Sequence, residues 1–284
     1  MSAVVVFIIF AICLIIAIPI SISLGIVAVL PGAFDASFTA SAGYVIRSMV
    51  GGIDSFPLLA VPMFVLAGIL MAHGKISEKL FDVFVYFLGN KRAGIPCAVI
   101  ITCLFYGAIS GSAPATVAAV GSMTIPLLIE LGYEKDFSTA IVAVAGGLGV
   151  IIPPSIPFIM YAMATGESVS DLFLAGIVPG MMISALLIFY AYYYCRRHGE
   201  DREKIQAKMD QLKTKGFVNI LKESIWALLS PVIVLGCIYS GVASPTEAAV
   251  ISVFYSLFVS LFIYKSITVK QIWGIMVEAM KTYA

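Results

Sequence analysis

The chain has little charge, and less still of the side chains that build catalytic and metal centres. Asp, Glu, Lys and Arg make up 12% of its 284 residues, about half the share of a soluble domain. Too few polar groups remain to coat a globule of this size, so a soluble enzyme or secreted scaffold is excluded. No stretch is polar for long, which excludes a disordered chain. A net charge of +1 leaves no basic face for nucleic acid. Only two histidines occur, His73 and His198, both in polar intervals, which removes haem, zinc and intramembrane histidine relays. The five cysteines (Cys13, Cys97, Cys103, Cys195, Cys237) form no C-x-x-C pair. Lying within or beside apolar stretches, they read as small core residues.

What is present is apolar: 61% of the chain. The apolar stretches are Ala3–Leu30, Pro57–Ala72, Ala93–Ser110, Ala113–Ile129, Ser138–Thr165, Leu172–Cys195, Ile225–Gly241 and Thr246–Tyr264. A spanning helix needs about 20 apolar residues, so the chain reads as an all-α polytopic membrane protein embedded in a lipid bilayer. The first stretch lacks the basic start of a signal peptide and reads as one mature membrane helix bent at Pro19. Two further stretches, 76–88 and 267–280, carry apolar residues at helical spacing (Leu80, Phe84, Phe87 and Leu88 in the first, Trp273 in the second). Both suggest helices lying along the membrane interface or ordinary connector helices. Lys and Arg concentrate in the intervals 75–92 and 196–222, which places both in the cytoplasm. The stretch 93–129 between them then makes an even number of passes, and 166–171, without Lys or Arg, lies outside.

Two apolar stretches are interrupted by residues unsuited to a simple helix. One interruption is Gly107-Ala-Ile-Ser-Gly-Ser-Ala-Pro-Ala-Thr116, the other Gly146-Gly-Leu-Gly-Val-Ile-Ile-Pro-Pro-Ser-Ile-Pro157. Adjacent Pro153 and Pro154 remove two backbone donors, and a continuous helix through them would cost roughly 3 kcal/mol per proline. Unwound backbone at membrane depth is tolerated only where protein buries it or it lines a cavity. Freed carbonyls there suit a hard cation such as sodium, and half-helix N-termini suit an anion. The stretch 93–129 fits either two full spanning helices or a re-entrant hairpin. The hydroxyl-rich, charge-free tip at Ser110, Ser112 and Thr116 favours the hairpin. No carboxylate lies in either break, so neutral oxygens would serve a monovalent cation.

Other candidates have local explanations. Glu247 lies in an apolar stretch, yet Ser244-Pro-Thr-Glu247 is a capping box, and Ser168 can cap the next helix likewise. Tyr190, Tyr192, Tyr193 and Tyr194 form an interfacial belt. Ala108-Ile-Ser110-Gly111 resembles the serine motif of rhomboid-type proteases, but no histidine in a membrane stretch could serve as its base. Neither a G-x-S-x-G elbow nor a G-x-x-x-x-G-K-[ST] phosphate loop occurs. The chain is read as no enzyme and as needing no cofactor.

Five segments in order resemble the large membrane subunit of the TRAP (tripartite ATP-independent periplasmic, DctM-like) transporters. They are Gly52-Ile-Asp-Ser-Phe-Pro-Leu-Leu-Ala-Val-Pro62, Gly107-Ala-Ile-Ser-Gly-Ser112, Ile151-Ile-Pro-Pro-Ser-Ile-Pro157, Leu174-Ala-Gly-Ile-Val-Pro-Gly180 and Tyr239-Ser-Gly-Val-Ala-Ser-Pro-Thr-Glu-Ala-Ala249. The resemblance implies an inverted-repeat, elevator-type transporter of the bacterial inner membrane. It implies sodium-driven import of an organic acid anion delivered by a periplasmic substrate-binding protein, beside a small four-helix membrane subunit. Carried onto this chain, the sodium ligands would come from Ser110, Gly111, Ser112, Gly149, Val150, Ile152 and Pro153. Ser112, Thr116 and Ser155 would face the substrate. The expected organisation is N-terminal scaffold and arm helices over 1–92, a first transport repeat over 93–195, a cytoplasmic loop over 196–224 and the start of a second repeat over 225–284. That second repeat lacks its own hairpin and broken helix, so the chain is expected to be a fragment or truncated frame. The alternatives are another elevator-type carboxylate transporter or a non-transporting membrane scaffold.

Overall fold

The structure is a computed structural model that describes residues 3–34, 42–214 and 216–283. Lys215, one of the cations in the basic interval 196–222, lies outside the described residues. Every regular element among the described residues is helical, in keeping with the all-α expectation. The chain divides into two compact units, Met1–Ser55 and Phe56–Ala284.

The first unit holds α1 (Ala3–Ile15), α2 (Ile20–Phe34) and α3 (Ala42–Ile53). The single helix bent at Pro19 is therefore a misreading. Helix α1 stops four residues earlier, where Ala17 takes a left-handed conformation (φ 62°). The Ile18 N–H turns back to the Cys13 carbonyl at 3.0 Å, closing the helix end. Pro19 then precedes α2, where its missing N–H costs nothing. Phe7, Ile15 and Ile20 are exposed, as lipid-facing side chains are.

In the second unit a short 3-10 turn, Phe56–Leu59, leads into α4 (Ala60–His73), followed by α5 (Ile76–Leu88), α6 (Gly94–Ser110) and α7 (Ala113–Glu130). Next come α8 (Lys135–Gly146), a 3-10 turn over Gly147–Val150, α9 (Ile156–Thr165) and α10 (Val169–His198). Then follow α11 (Arg202–Thr214), α12 (Phe217–Tyr239), α13 (Pro245–Phe258), a π-helical turn over Val259–Ile263, and α14 (Val269–Tyr283). Among the described residues, five helical segments are long and apolar enough to cross a membrane: Phe56–His73, Ala113–Glu130, Val169–His198, Phe217–Tyr239 and Pro245–Ile263.

Helix α13 begins with the expected capping box: the Glu247 N–H donates to the Ser244 hydroxyl, and the Ser244 N–H donates to the Glu247 carboxylate at 2.8 Å. Ser168 caps α10, accepting from the Asp171 N–H at 3.3 Å. Helix α5 packs against both α6 and α12, so it buries Ile76, Leu80, Phe81, Val83 and Val85. Two partners on different sides bury two stripes, whereas the sequence pattern marks one. Phe87, one of the apolar residues at helical spacing, is 56% exposed and stands edge-on to Phe217. Helix α14 packs on α4, with Ile275 and Ala279 buried, while Trp273 and Met280 stay exposed.

The interval 196–224 is largely helical, and α11 buries Ile205, Met209 and Leu212. Just ahead of α11 sits Glu200, whose side chain is 2% exposed. It accepts from the Ala93 N–H at 3.0 Å and the Tyr133 hydroxyl at 2.7 Å, and pairs with Arg202 at 3.3 Å. Burial and the hydrogen bond to Glu200 raise the Tyr133 phenol far above its ordinary range. Tyr194 donates to Glu134 at 2.6 Å, and the Arg202 guanidinium reaches the Asn90 carbonyl at 3.3 Å. Ser224 donates to the Lys79 carbonyl at 2.8 Å, and Lys79 pairs with Glu223. Residues 79–93, 130–134 and 194–224 thus gather at one end of the unit. Both open ends of the α6–α7 hairpin lie there, as an even number of passes requires.

Candidate functional site

The two breaks meet. Helix α6 ends at Ser110 because Gly111 adopts a left-handed conformation (φ 62°), open to glycine at no steric cost. Its N–H closes on the Gly107 carbonyl at 2.9 Å. Ser112 is extended and starts α7, with Pro114 in the first turn. The second break starts where α8 tightens into its 3-10 turn, and Ser155 caps α9. The peptide bond between Pro153 and Pro154 is cis.

Glycines permit the approach between tip and break. A Cβ on Gly107 would lie 2.6 Å from the Gly149 Cα, and one on Gly149 would lie 2.5 Å from the Thr116 hydroxyl and 2.9 Å from the Ser112 carbonyl. A Cβ on Gly111 would lie 2.9 Å from the Pro154 carbonyl. One backbone hydrogen bond joins the two segments, from the Ile156 N–H to the Gly111 carbonyl at 3.2 Å. Ser110, Gly111, Thr116, Gly149, Ile152, Pro153 and Ser155 are all buried, with Ser112 and Val150 half-buried.

The hydroxyls are not equivalent. Ser110 and Thr116 share a hydrogen bond at 3.1 Å, and the Thr116 hydroxyl donates to the Ser112 carbonyl at 2.8 Å. The Ser155 hydroxyl donates to the Val150 carbonyl at 2.6 Å and accepts from the Phe158 N–H at 3.4 Å. Ser155 is thereby engaged in closing its own turn. Ser112 makes no side-chain capping bond, so its hydroxyl is the freest of the three expected to face substrate. Among the described residues, none donates a backbone hydrogen bond to the Ile152 or Pro153 carbonyl. The site therefore brings together neutral carbonyl and hydroxyl oxygens. Among the described residues no cluster of three or more His, Cys, Asp or Glu exists. Oxygens of this kind can coordinate a hard cation.

Helix α4 supports the tip. The buried Tyr106 hydroxyl donates to the Gly68 carbonyl at 2.7 Å, and a Cβ on Gly68 would lie 2.9 Å from the Ser110 Cβ. Behind the break, Gly176 and Gly180 on α10 admit Ile151, Phe158 and Ile152. The contacts through Gly68, Tyr106 and Glu200 were not singled out from sequence. Their partners lie far away in the chain, and only the G-x-x-x-G spacing of Gly176 and Gly180 is a recognisable signal of close helix packing.

A charge-poor chain of long apolar helices, with a hairpin tip docked on a broken helix, is an integral membrane protein whose unwound backbone is buried in protein. Comparison with known proteins narrows this. The family model for the tripartite ATP-independent periplasmic transporter, DctM component, matches residues 7–284, and the chain belongs to that family, as its five motifs imply. It is 42% identical to the isethionate TRAP transporter permease protein DctMQ of Oleidesulfovibrio alaskensis, over 97% of this chain and 42% of that one. It is 35% identical to the C4-dicarboxylate TRAP transporter large permease protein DctM of Rhodobacter capsulatus, over 96% of this chain and 63% of that one. With the 2,3-diketo-L-gulonate TRAP transporter large permease protein YiaN of Escherichia coli it shares 37% identity, over 83% and 54%. The chain thus spans about half the length of the curated relatives it matches. Like them it is a multi-pass protein of the cell inner membrane.

Proposed function

We propose that this chain supplies the first transport repeat of a sodium-coupled TRAP permease, and that residues 107–116 and 149–155 hold a coupling sodium ion. The complete protein imports an organic acid anion handed over by a periplasmic binding protein, beside a small four-helix membrane subunit, by an elevator-type movement. The observation that carries this reading is the convergence of Ser110, Ser112, Thr116 and the unwound 149–155 backbone without a carboxylate. Sodium is the abundant hard cation that such neutral oxygens suit.

The tip is a re-entrant hairpin on this reading. Helix α6 has 17 residues, so the tip stands about 25 Å from the hairpin base. The neighbouring segment passes the same point and continues through the 10 residues of α9, about 15 Å further. Residues 93–130 therefore enter and leave on the cytoplasmic side, while α9 goes on to a periplasmic loop at 166–171.

The test is uptake into vesicles holding the permease with its two partners, measured as a function of sodium. Ser112→Ala should raise the sodium concentration for half-maximal uptake several-fold while leaving membrane insertion intact. An unchanged sodium dependence, or uptake that ignores sodium, overturns the site.

A further inference from the structure

At the end of the unit where the basic residues gather, α6 and α10 leave a slot between them of about 480 Å³. Its walls are apolar: Ile101 from α6, and Ala185, Ile188 and Phe189 from α10. It runs from Gly94 to Ile101 along one helix and from Tyr192 back to Ala185 along the other, about 10 Å in length. Lys91 and Arg92 stand at the mouth, just ahead of α6, and both are exposed. Arg196 lies one turn beyond Tyr192 on α10 and is exposed as well. Among the described residues no carboxylate lies within ion-pair distance of Lys91 or Arg92. Of the acids at this end, Glu200 is paired with Arg202 and accepts from Ala93 and Tyr133, Glu134 accepts from Tyr194, and Asp201 is paired with Lys204.

We propose that this slot takes an acyl chain of an anionic phospholipid, with the headgroup phosphate held by Lys91, Arg92 and Arg196. Two observations, independent of the sodium site, point to that occupant. The apolar walls lie on helices of a membrane protein, so hydrocarbon is what surrounds them. The positive charge is confined to the mouth, at the level where positive-inside asymmetry puts the inner-leaflet headgroups. A zwitterionic lipid would meet the same walls but gain little from three cations. A water-soluble phosphate would gain the charges but leave the slot unfilled.

The test is native mass spectrometry of the purified chain, delipidated in detergent and titrated with phosphatidylglycerol or with phosphatidylcholine of the same acyl chains. Phosphatidylglycerol should be retained at concentrations where phosphatidylcholine is lost. The double variant Lys91→Ala/Arg92→Ala should weaken phosphatidylglycerol about thirtyfold, each basic side chain near a charged surface being worth a factor of about five. Ala185→Trp, which fills the slot and leaves the charges, should weaken binding of both lipids. Glycerol phosphate should not compete. Equal retention of the two lipids, or wild-type retention by both variants, overturns the proposal, as does displacement by glycerol phosphate. The two variants alter different parts of the site, and an unchanged melting temperature for either one identifies it as folded and decisive.

Discussion

Replacing Gly107 by Ala puts one methyl group where the hairpin and the broken helix touch. The added Cβ would sit 2.6 Å from the Gly149 Cα and 3.0 Å from its amide nitrogen. Both atoms are backbone, so no rotamer change relieves the clash and the two segments must separate. Overpacking of this kind costs about 3 kcal/mol at the upper end of its usual range. Alanine in place of glycine inside a helix returns up to about 1 kcal/mol, leaving a net loss of about 2 kcal/mol. At about 2–4 °C per kcal/mol for a chain of this order of size, the melting temperature in detergent should fall by roughly 4–8 °C. Gly147 is the control: it has ordinary helical dihedrals, and nothing lies within 4 Å of a Cβ built there. Gly147→Ala should therefore hold stability or raise it by about 0.4–1 kcal/mol. If Gly107→Ala melts at or above the wild-type temperature, or shifts in step with Gly147→Ala, the close approach of tip and break is wrong.

Glu200→Ala should destabilise the purified chain by about 1.5–3 kcal/mol for each charged hydrogen bond lost, with Glu200→Gln recovering part; equal melting of all three proteins would show that the buried carboxylate holds nothing. Asp201 accepts from the Lys204 N–H at 3.2 Å, and that bond is the chief cause holding its carboxyl below the ordinary value. Its contribution to α11 is present above the unfolded value, near pH 4, and is lost as pH falls through the lower folded one. Hydrogen exchange at 202–214 should therefore quicken in acid, and Asp201→Asn should flatten that dependence; an unchanged profile would discount the cap. In a cysteine-free background, Ser168→Cys should react with a membrane-impermeant thiol reagent applied from the periplasm and Gln206→Cys should not, and the reverse pattern would invert the topology.

Features written in a few adjacent residues were legible without the structure. The Ser244–Glu247 box is a four-residue signal, and the prolines at 153 and 154 announce the second break wherever the chain packs. The meeting of the two breaks is consistent with the few residues between α7 and α8, which let an antiparallel return bring one beside the other. What escaped was either conformational or distant. Nothing in Ile16-Ala17-Ile18 marks a left-handed residue, since alanine favours helix, so the sequence reads as one helix bent at the proline where the structure has two. Glu200 sits in a run of charged residues that reads as solvated, and it is buried only because Ala93 and Tyr133 arrive from 107 and 67 residues away. The second buried stripe of α5 exists because α12 covers it, and its own sequence does not announce α12.

The hairpin is tied at both ends, and this constrains how it can move. At its base, Ala93 and the neighbouring Tyr133 are bonded to the same carboxylate. At its tip, the Gly111 carbonyl takes the first amide of α9, and partway along, Tyr106 is bonded to α4. A lever pinned at base, middle and end has no hinge of its own. Swinging the tip alone would break the Gly111 and Tyr106 bonds and expose their partners, whereas displacing the whole assembly breaks none of them. Any displacement of the hairpin that kept these bonds would have to carry α4, α9 and the Glu200 segment with it.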